Sequence, residues 1–529
     1  MTNAVIYAFF SLTFNDSILA EKTTKLSESL NLSVSQAGLD NLTMSESKKD
    51  QLKAAFLLFC RREFNQASSI VEEIFPQKSE ADEADSSLDR LVVAMSADLI
   101  DDFPASNPRW LVTVPGAEAS GIGSTMSLLI LHQLEDKQTA LEVYINFLKE
   151  VGLWKRLTGV STGELVTATT LVLSEHVEKT AATITLRTVH AQHQNVIDEA
   201  IRETLKIRKV QQPQVDESLT PQDFFYREIS RLEEIVNGFQ LISERATGGS
   251  WAPREVVAAV NSMNAVILTV LKEVTRVRAL KKEEFCPPKA LMQRFEYLPW
   301  TSLPGPQGIR TLLMRQFHLT LTKVVPLVED AGKKEEFYQQ CTELADFVLD
   351  GYKCQLDTVW NNERQKSILK MYEKDRSDLT MALIAAKCYE EAASIAEKYL
   401  EFNALVKICE LTNDTEKLEH YMDFFADQNF SNFVFDWHVR EGKQARLLSQ
   451  NYSGQRNKQL GNYLKGHSEL SWMHEIETNR FVDAVNTLKN LAYNETEDIA
   501  NKKVTIYFFF LTIFLRKFLI FFLLITDTA

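Results

Sequence analysis

The sequence predicts an all-α protein, an irregular, α-solenoid-like stack of helical hairpins, and three observations support this. The 18 Gly and 13 Pro among 529 residues leave long uninterrupted segments. From residue 48 onward, apolar side chains recur at helical spacing. A degenerate motif also recurs along the chain, which is typical of stacked helical units that complete one another's cores.

The composition is that of a folded protein in a reducing compartment. Apolar residues make up 45% and charged residues 25% of the chain, which is ordinary for a soluble fold. The net charge of −14 argues against direct nucleic-acid binding, because phosphate recognition needs clustered Lys and Arg. The six cysteines lie far apart and include no C-x-x-C pair, so no disulfide framework is predicted.

Breaks in the helical pattern divide the first half of the chain. Residues 1–45 are an N-terminal segment whose short apolar run has no Lys or Arg before it, so a strand or a chain start inside a larger domain is as plausible as a signal peptide. The first helical block is 46–210, and it includes a helical pair at 124–150. The polar stretch 211–225 then opens a second block, 211–308.

The second block contains the strongest helical pattern, at 255–285. Pro253 suits its first turn, and Cys286-Pro287-Pro288 is expected to end it. A loop rich in Pro and Gly follows at 296–310. The apolar seam of the helix keeps to one face: Val256, Val260, Met263, Ile267, Val270, Val274 and Val277.

The third block, 309–503, is predicted as stacked hairpins. Within it, 379–411 has no Gly or Pro and reads as two successive helices, for which packing is the predicted role. The core expected there is Tyr389, Ala392, Ala393, Ile395, Ala396, Tyr399 and Leu400. The recurring motif places Ala three residues after an aromatic, which lets a neighbouring helix approach closely. Its copies are Phe64/Ala67, Tyr389/Ala392 and Phe481/Ala484.

No catalytic, cofactor-binding or metal-binding residue is predicted. Residues 159–163 match the G-x-S-x-G pattern around Ser161, but that nucleophile needs a strand before it and a helix after it. Helical spacing precedes Ser161, so a turn between helices is favoured over a hydrolase. The run 119–127 has two Gly and no Lys, so a loop N-capped by Ser124 is favoured over a phosphate site.

Histidines and tryptophans also favour structural roles. His190 and His193 have no third ligand nearby in sequence, so they are predicted to be solvated surface residues rather than a metal pair. His474-Glu475 lacks the second His of a zincin motif. Three loop tryptophans are expected to pin loops to a helical core, with binding anchors as the alternative: Trp110, Trp251 and Trp300.

Several stretches, in order along the chain, resemble the nucleoporin 133 family, scaffold proteins of the Y-shaped coat complex of the nuclear pore. The resemblance covers residues 45–503. It is carried by ESKKDQLKAAFLLFCRR (46–62), FPASNPRW (103–110), LILHQLEDK (129–137), YLPWTSLPGPQGIR (297–310), ADFVLDGYKCQL (345–356), RSDLTMALIAAKCYEEAASIAEKY (376–399), HYMDFFADQNFSNFVFDWHVREGK (420–443) and SELSWMHEI (468–476).

The resemblance implies a structural role in the nuclear pore complex, at the nuclear envelope. There the chain would support pore assembly, mRNA export and protein import, with other nucleoporins of the Y-shaped complex as partners and no cofactor. The family also carries an N-terminal β-propeller, of which residues 1–45 would be a remnant. A further helical block of the family docks on nucleoporin 107. That block is absent here, so we expect no capture of nucleoporin 107.

The apolar tail, 504–529, is expected to lie outside the fold. The resemblance stops at Lys503, and the tail is dominated by Phe. The favoured hypothesis is that the reading frame runs into an intron after residue 503, or that the end of the gene is mispredicted. The alternative is a tail-anchored membrane adaptor with a cytosolic helical stack, because residues 504–525 are about long enough to cross a bilayer. Membrane contact is expected only through this tail.

Overall fold

The fold is all-α apart from one two-stranded hairpin, within the residues that the computed structural model describes. Those residues are 36–76, 85–101, 122–163, 165–209, 220–449, 454–496 and 498–526. The predicted fold class is confirmed. The chain divides into two compact units, Met1–Glu391 and Ala392–Ala529. Their boundary falls inside the predicted third block, and the division into three blocks stays a prediction.

The first unit contains fourteen complete α-helices within the described residues, and the hairpin lies between the fifth and the sixth. In chain order they are α1 (Gln36–Thr43), α2 (Lys48–Cys60), α3 (Phe64–Ile74), α4 (Ser87–Asp101), α5 (Ile122–Glu150), β1 (Gly159–Thr162), β2 (Leu165–Ala168), α6 (Thr169–Val189), α7 (Gln194–Ile207), α8 (Pro221–Arg227), α9 (Glu234–Arg245), α10 (Pro253–Phe285), α11 (Lys289–Met292), α12 (Ile309–Leu319), α13 (Ala331–Leu356) and α14 (Asn362–Ala385).

The next helix, α15, crosses the boundary between the units, and shorter helices follow it. They are α15 (Tyr389–Tyr399), α16 (Phe402–Thr412), α17 (Thr415–Phe424), α18 (Phe430–Arg440), α19 (Gln444–Ser449), α20 (Gly454–Leu464), α21 (Ser468–Glu477), α22 (Phe481–Asn494) and α23 (Ile499–Thr526). In the second unit, successive helices pack mainly on near neighbours in sequence, as α21 does on α22.

Two long helices that are not neighbours in sequence, α6 and α10, pack along each other in the first unit. The predicted helix 255–285 corresponds to α10, which begins at Pro253 and is capped at its carboxyl end by Cys286. Six of the seven predicted seam positions are buried. The exception is Val270, which is only partly buried, while the next residue, Leu271, is buried. The apolar seam therefore identified the core face of α10, but not its partner helix.

The recurring aromatic residue is in each copy the first residue of a helix, at Phe64, Tyr389 and Phe481. Ala67, Ala392 and Ala484 are each 0% exposed. Two residues before each aromatic, the chain adopts a left-handed conformation, with φ of 66° at Arg62, 64° at Lys387 and 58° at Asn479. The next N–H in each copy donates back five residues, to Leu58, Leu383 and Glu475. This is a Schellman-type helix end.

A fourth turn of this kind joins α15 to α16. Leu400 has φ of 57°, and the N–H of Glu401 donates to the carbonyl of Ala396 at 2.8 Å. Leu400 was predicted as a core residue, and this was wrong, because its side chain is 41% exposed. Its backbone makes the turn, and the left-handed conformation directs the side chain away from the buried face. The prediction of two helices in 379–411 also misses a helix. Three helices contribute to this stretch, namely the end of α14 followed by α15 and α16.

Ala392 is expected to tolerate no larger side chain. Its side chain is 0% exposed, so Ala392→Leu should force neighbouring atoms apart and lower the free energy of unfolding by about 1–3 kcal/mol. Ala385→Leu is the matched control, because Ala385 is exposed at the end of α14. Urea unfolding of both variants measures the difference. Equal midpoints for Ala392→Leu and the native chain would contradict close packing at this position.

The apolar tail is helical in the structure as far as Thr526. The first half of α23 packs on α22, and the ring of Phe508 lies 5.0 Å from that of Trp472. A cleft of about 360 Å³ between α22 and α23 is lined by Lys489, Ala492, Tyr493, Lys502, Ile506, Phe509 and Phe510. That residues 504–529 lie outside the native fold stays a prediction.

Candidate functional site

Ser161 lies in a β-hairpin rather than in a turn between helices. It belongs to β1, pairs with Val166 of β2, and is exposed. Its N–H donates to Asp85 Oδ1 at 3.2 Å. The predicted turn was wrong. Asp89 of α4, a fully buried carboxylate, accepts hydrogen bonds from Thr158 and Thr169, which flank the hairpin in sequence and meet at its open end. A nucleophile elbow would need a helix directly after the Ser, and a second strand follows instead.

The glycine-rich run at 119–127 is only partly described by the structure. Helix α5 begins at Ile122, so Ser124 lies inside the helix and does not cap it as predicted. Residues 119–121 lie outside the described residues. The remainder of the run, residues 122–127, forms the first turns of α5. A phosphate cradle needs successive loop N–H groups, and the described part of the run is helix.

His190 is buried, contrary to the prediction of a surface residue. It is 2% exposed, and its Nδ1 accepts from Arg187 at 2.7 Å. Its Nε2–H donates to Asp198 of α7 at 2.9 Å, and Tyr226 of α8 lies 3.2 Å from Nδ1. Burial, together with the charge of Arg187, holds the pKa of His190 below its ordinary value. The residue therefore joins the ends of α6, α7 and α8 as a neutral imidazole.

His474 and Glu475 are also buried, at 4% and 8% exposure. Arg480 donates to His474 Nδ1 at 3.1 Å, while Ser471 and Thr487 donate to Glu475 at 2.9 and 3.0 Å. All of these partners are protein groups on α21, α22 or the turn between them. Across the part of the chain that the structure describes, no group of three or more His, Cys, Asp or Glu side chains could hold a metal ion.

Trp300 connects the Pro/Gly loop to the centre of the first unit. The residue is 3% exposed, and its indole N–H donates to Glu178 Oε2 at 2.9 Å. Its backbone N–H donates to Glu175 of α6 at 3.2 Å, and the ammonium of Lys179 lies 5.3 Å from its ring. These contacts agree with the predicted loop-pinning role. Trp251 is partly exposed, and Trp110 lies outside the described residues.

Glu178 is the polar link between the two central helices. Its side chain is fully buried and accepts two hydrogen bonds from Arg278 of α10, at 2.9 and 2.7 Å. With the bond from Trp300, one carboxylate holds α6, α10 and the loop after α11 in a fixed arrangement. Sequence reasoning missed it because the two partners lie 100 positions apart. The only signal was a pair of carboxylates, Glu175 and Glu178, one helical turn apart on α6.

A second buried group on α6 is expected to make stability depend on pH. Burial, with the positive charge of Lys179, lowers the pKa of His176 to about 3, and Ser96 Oγ lies 2.7 Å from its Nδ1. The unfolded chain binds this proton near pH 6.5, so the contribution of His176 is complete above that pH and is lost as the pH falls. Between pH 7 and 5 we expect a loss of about 2 kcal/mol.

The measurement is urea unfolding at several pH values for the native chain and for His176→Gln, whose amide oxygen can still accept from Ser96. Glu175, His190 and His474 also have shifted pKa values. Because both chains contain these groups, the difference between their free energies of unfolding isolates the contribution of His176. That difference should narrow steadily as the pH falls from 7 to 5. A constant difference would contradict a neutral, buried His176.

One helix among the described residues, α10, is long and apolar enough to cross a membrane, judged by length and composition alone. Its apolar seam is covered by protein, since Val260, Met263 and Val274 are each 0% exposed. Buried core helices meet the same criteria of length and composition, and we interpret α10 as a core helix.

Part of the chain matches a protein-family model described as "Non-repetitive/WGA-negative nucleoporin C-terminal", over residues 331–506. The match begins at the first residue of α13 and ends within α23. It therefore includes helices of both compact units.

Curated relatives match over most of the chain. It is 39% identical over 508 residues to "Nuclear pore complex protein Nup133" of Mus musculus, covering 92% of this chain and 42% of the relative. The human protein of that name is 39% identical over 467 residues, covering 87% and 39% respectively. The Drosophila melanogaster protein is 33% identical over 462 residues, covering 86% and 38%. The chain thus spans about two fifths of the length of these relatives.

Proposed function

Because the chain belongs to the Nup133 family of nuclear pore complex proteins, we propose that it is a structural scaffold component of the nuclear pore complex. Its location is then the nuclear envelope, and its partners are other nucleoporins, among which we infer those of the Y-shaped complex. As a scaffold of the pore, it supports pore assembly, mRNA export and protein import. The observation that carries the proposal is the 39% identity that extends over 92% of the chain.

The described architecture supports a scaffold that works by holding its shape. In the first unit, Glu178 joins α6, α10 and a loop, while His190 joins α6, α7 and α8. Removing one member of such a buried network leaves a desolvated charge or polar group unpaired, so the arrangement resists bending. At least four helix ends are closed by the same hydrogen-bonded turn, which fixes the angle at which each next helix begins.

A catalytic role has less support than a scaffold role. The matched relatives carry the name of a nuclear pore complex protein, and Ser161 lies in a two-stranded hairpin rather than at a strand-to-helix elbow. Its backbone N–H donates to Asp85, a carboxylate whose pKa is lowered mainly by its hydrogen bond to Arg90. The tail-anchored adaptor likewise finds no support among the matched relatives.

The proposal is tested by imaging. The full chain with a fluorescent tag is expressed in cultured cells, together with a marker of pores and a marker of the endoplasmic reticulum. We expect punctate signal at the nuclear rim that coincides with the pore marker. A signal spread through the endoplasmic reticulum would favour the tail-anchored adaptor, and a diffuse signal from a folded chain would contradict pore association.

A further inference from the structure

An exposed tryptophan, Trp360, lies on the surface of the first unit between α13 and α14. Its side chain is 63% exposed, whereas those of Trp300 and Trp437 are buried. Met292 of α11 lies beside it with 40% exposure, and the exposed thiol of Cys286 is 3.8 Å from the Met292 sulfur. We call Cys286, Met292 and Trp360 the Trp360 surface. Large apolar side chains exposed together mark sites of protein contact more often than single ones do.

The backbone around the Trp360 surface is held in place. The indole N–H of Trp360 donates to the carbonyl of Met292 at 3.2 Å. The next residue, Asn361, caps α14 by accepting from the N–H groups of Glu363 and Arg364. Thr358 accepts from the N–H of Tyr297 at 2.9 Å, which joins the two loops that carry the surface. Trp360 is therefore oriented before any partner arrives, and binding would cost little side-chain entropy.

The cations beside the surface give its electrostatic character. Lys289 lies one helical turn before Met292 on α11, and Arg294 lies two residues after it; both are exposed. Arg294 lies over the ring of Phe295 at 5.3 Å. Among the described residues, neither Lys289 nor Arg294 forms an ion pair, whereas the nearby Arg364 is paired with Glu296. The net charge of the chain is −14, so two unpaired cations beside an exposed Trp are a local exception.

We propose that the Trp360 surface is a docking site for an acidic protein segment that carries one large apolar side chain. The apolar side chain would pack against the indole and the Met292 thioether, and the carboxylates would pair with Lys289 and Arg294. Trp, Met and Arg are enriched at such contacts, and a Trp with one exposed face often contributes most of the binding energy. This goes beyond the scaffold role, because it assigns a partner chemistry to a particular face.

The test uses defined peptide pools on the full chain. One pool of 12-residue peptides is rich in Asp and Glu with a central Leu, Phe or Trp; a second has the same acidic composition with a central Gly; a third replaces the acids by Lys. The immobilised chains are native, Trp360→Ala, the double variant Lys289→Glu/Arg294→Glu, and Leu369→Ala. Leu369 is an exposed apolar residue of α14, 41% exposed, and serves as the matched control.

We expect the first pool to be retained by the native chain and by Leu369→Ala, and to lose about tenfold or more of its retention on the other two variants. The second and third pools should be retained weakly by all four chains. Retention should also fall as salt is raised. Circular dichroism checks that all variants fold, which is expected because every substituted residue is exposed.

Three outcomes would overturn the proposal. The first is equal retention of the first pool on the native chain and on Trp360→Ala. The second is self-association in analytical ultracentrifugation that Trp360→Ala abolishes, since the surface would then bind a second copy of the chain. The third is tighter binding of a 20-nucleotide oligouridylate than of the acidic pool, lost in the Lys289→Glu/Arg294→Glu variant, which would make the surface a nucleic-acid contact.

Discussion

Replacing Glu178 by Ala is expected to lower the free energy of unfolding of the first unit by about 3–5 kcal/mol. The substitution removes the two carboxylate acceptors of the Arg278 guanidinium, which keeps a 3.4 Å hydrogen bond to Thr301 Oγ1, and it removes the acceptor of the Trp300 indole N–H. In the native chain burial, with the charge of Glu178, raises the pKa of Glu175 to about 8. Burial is the larger cause and remains after the substitution, so it still disfavours the charged form of Glu175 that would have to replace Glu178 beside Arg278.

The measurement is urea unfolding combined with hydrogen exchange in α6 and α10. Glu273→Gln is the matched control, because Glu273 pairs with Arg276 on the exposed side of the same helix α10, and surface pairs contribute about 0–1 kcal/mol. The double variant Glu178→Leu/Arg278→Met should be less destabilised than Glu178→Ala, since it leaves no unpaired charge. If Glu178→Ala and Glu273→Gln unfold at the same midpoint, Glu178 does not link the two helices.

Replacing Phe147 by Ala should have an effect of similar size, again about 3–5 kcal/mol. Phe147 of α5 is 0% exposed. Its ring lies 5.7 Å from that of Phe56 and 5.4 Å from that of Phe59, both on α2, and 6.1 Å from that of Tyr144. Truncation would leave a cavity at the centre of this aromatic cluster and remove both ring contacts of Phe147 with α2, while the contact between Phe56 and Tyr144 would remain.

Phe64→Ala is the control for Phe147→Ala. Phe64 also contacts Phe59, with ring centroids 5.2 Å apart, but its side chain is 50% exposed. Its loss should therefore cost no more than about 1 kcal/mol. Hydrogen exchange in α2 and α5 should accelerate in Phe147→Ala and remain close to native in Phe64→Ala. A larger effect from Phe64 than from Phe147 would contradict the packing described.

Local patterns predicted the helices well because each depends on residues close in sequence. The seam of α10 needs only helical periodicity, and its ends need only Pro253 and the Cys286-Pro287 step. The recurring Ala was correctly placed in the core for the same reason. The turns before the aromatic residues were harder to predict, since Arg62, Lys387 and Leu400 adopt a left-handed conformation that is usually signalled by Gly or Asn.

What sequence reasoning missed depends on residues brought together by the fold. Asp89 accepts a hydrogen bond from Thr158, which lies 69 positions later along the chain at the start of the hairpin, and His190 is buried by helices that follow it. The salt bridge between Glu178 and Arg278 joins helices that no local pattern pairs. These polar contacts have no periodic signature, and a buried carboxylate looks in sequence like one on a solvated face.

The nuclear pore assignment is tested most directly by quantitative co-purification of nucleoporins with the tagged full chain from cell extract, with Glu178→Ala as a matched variant of reduced stability. The scaffold account predicts that nucleoporins are the most enriched proteins with the native chain and that their recovery falls with Glu178→Ala. A native chain that is folded by circular dichroism and recovers nucleoporins no better than the tag alone would contradict it.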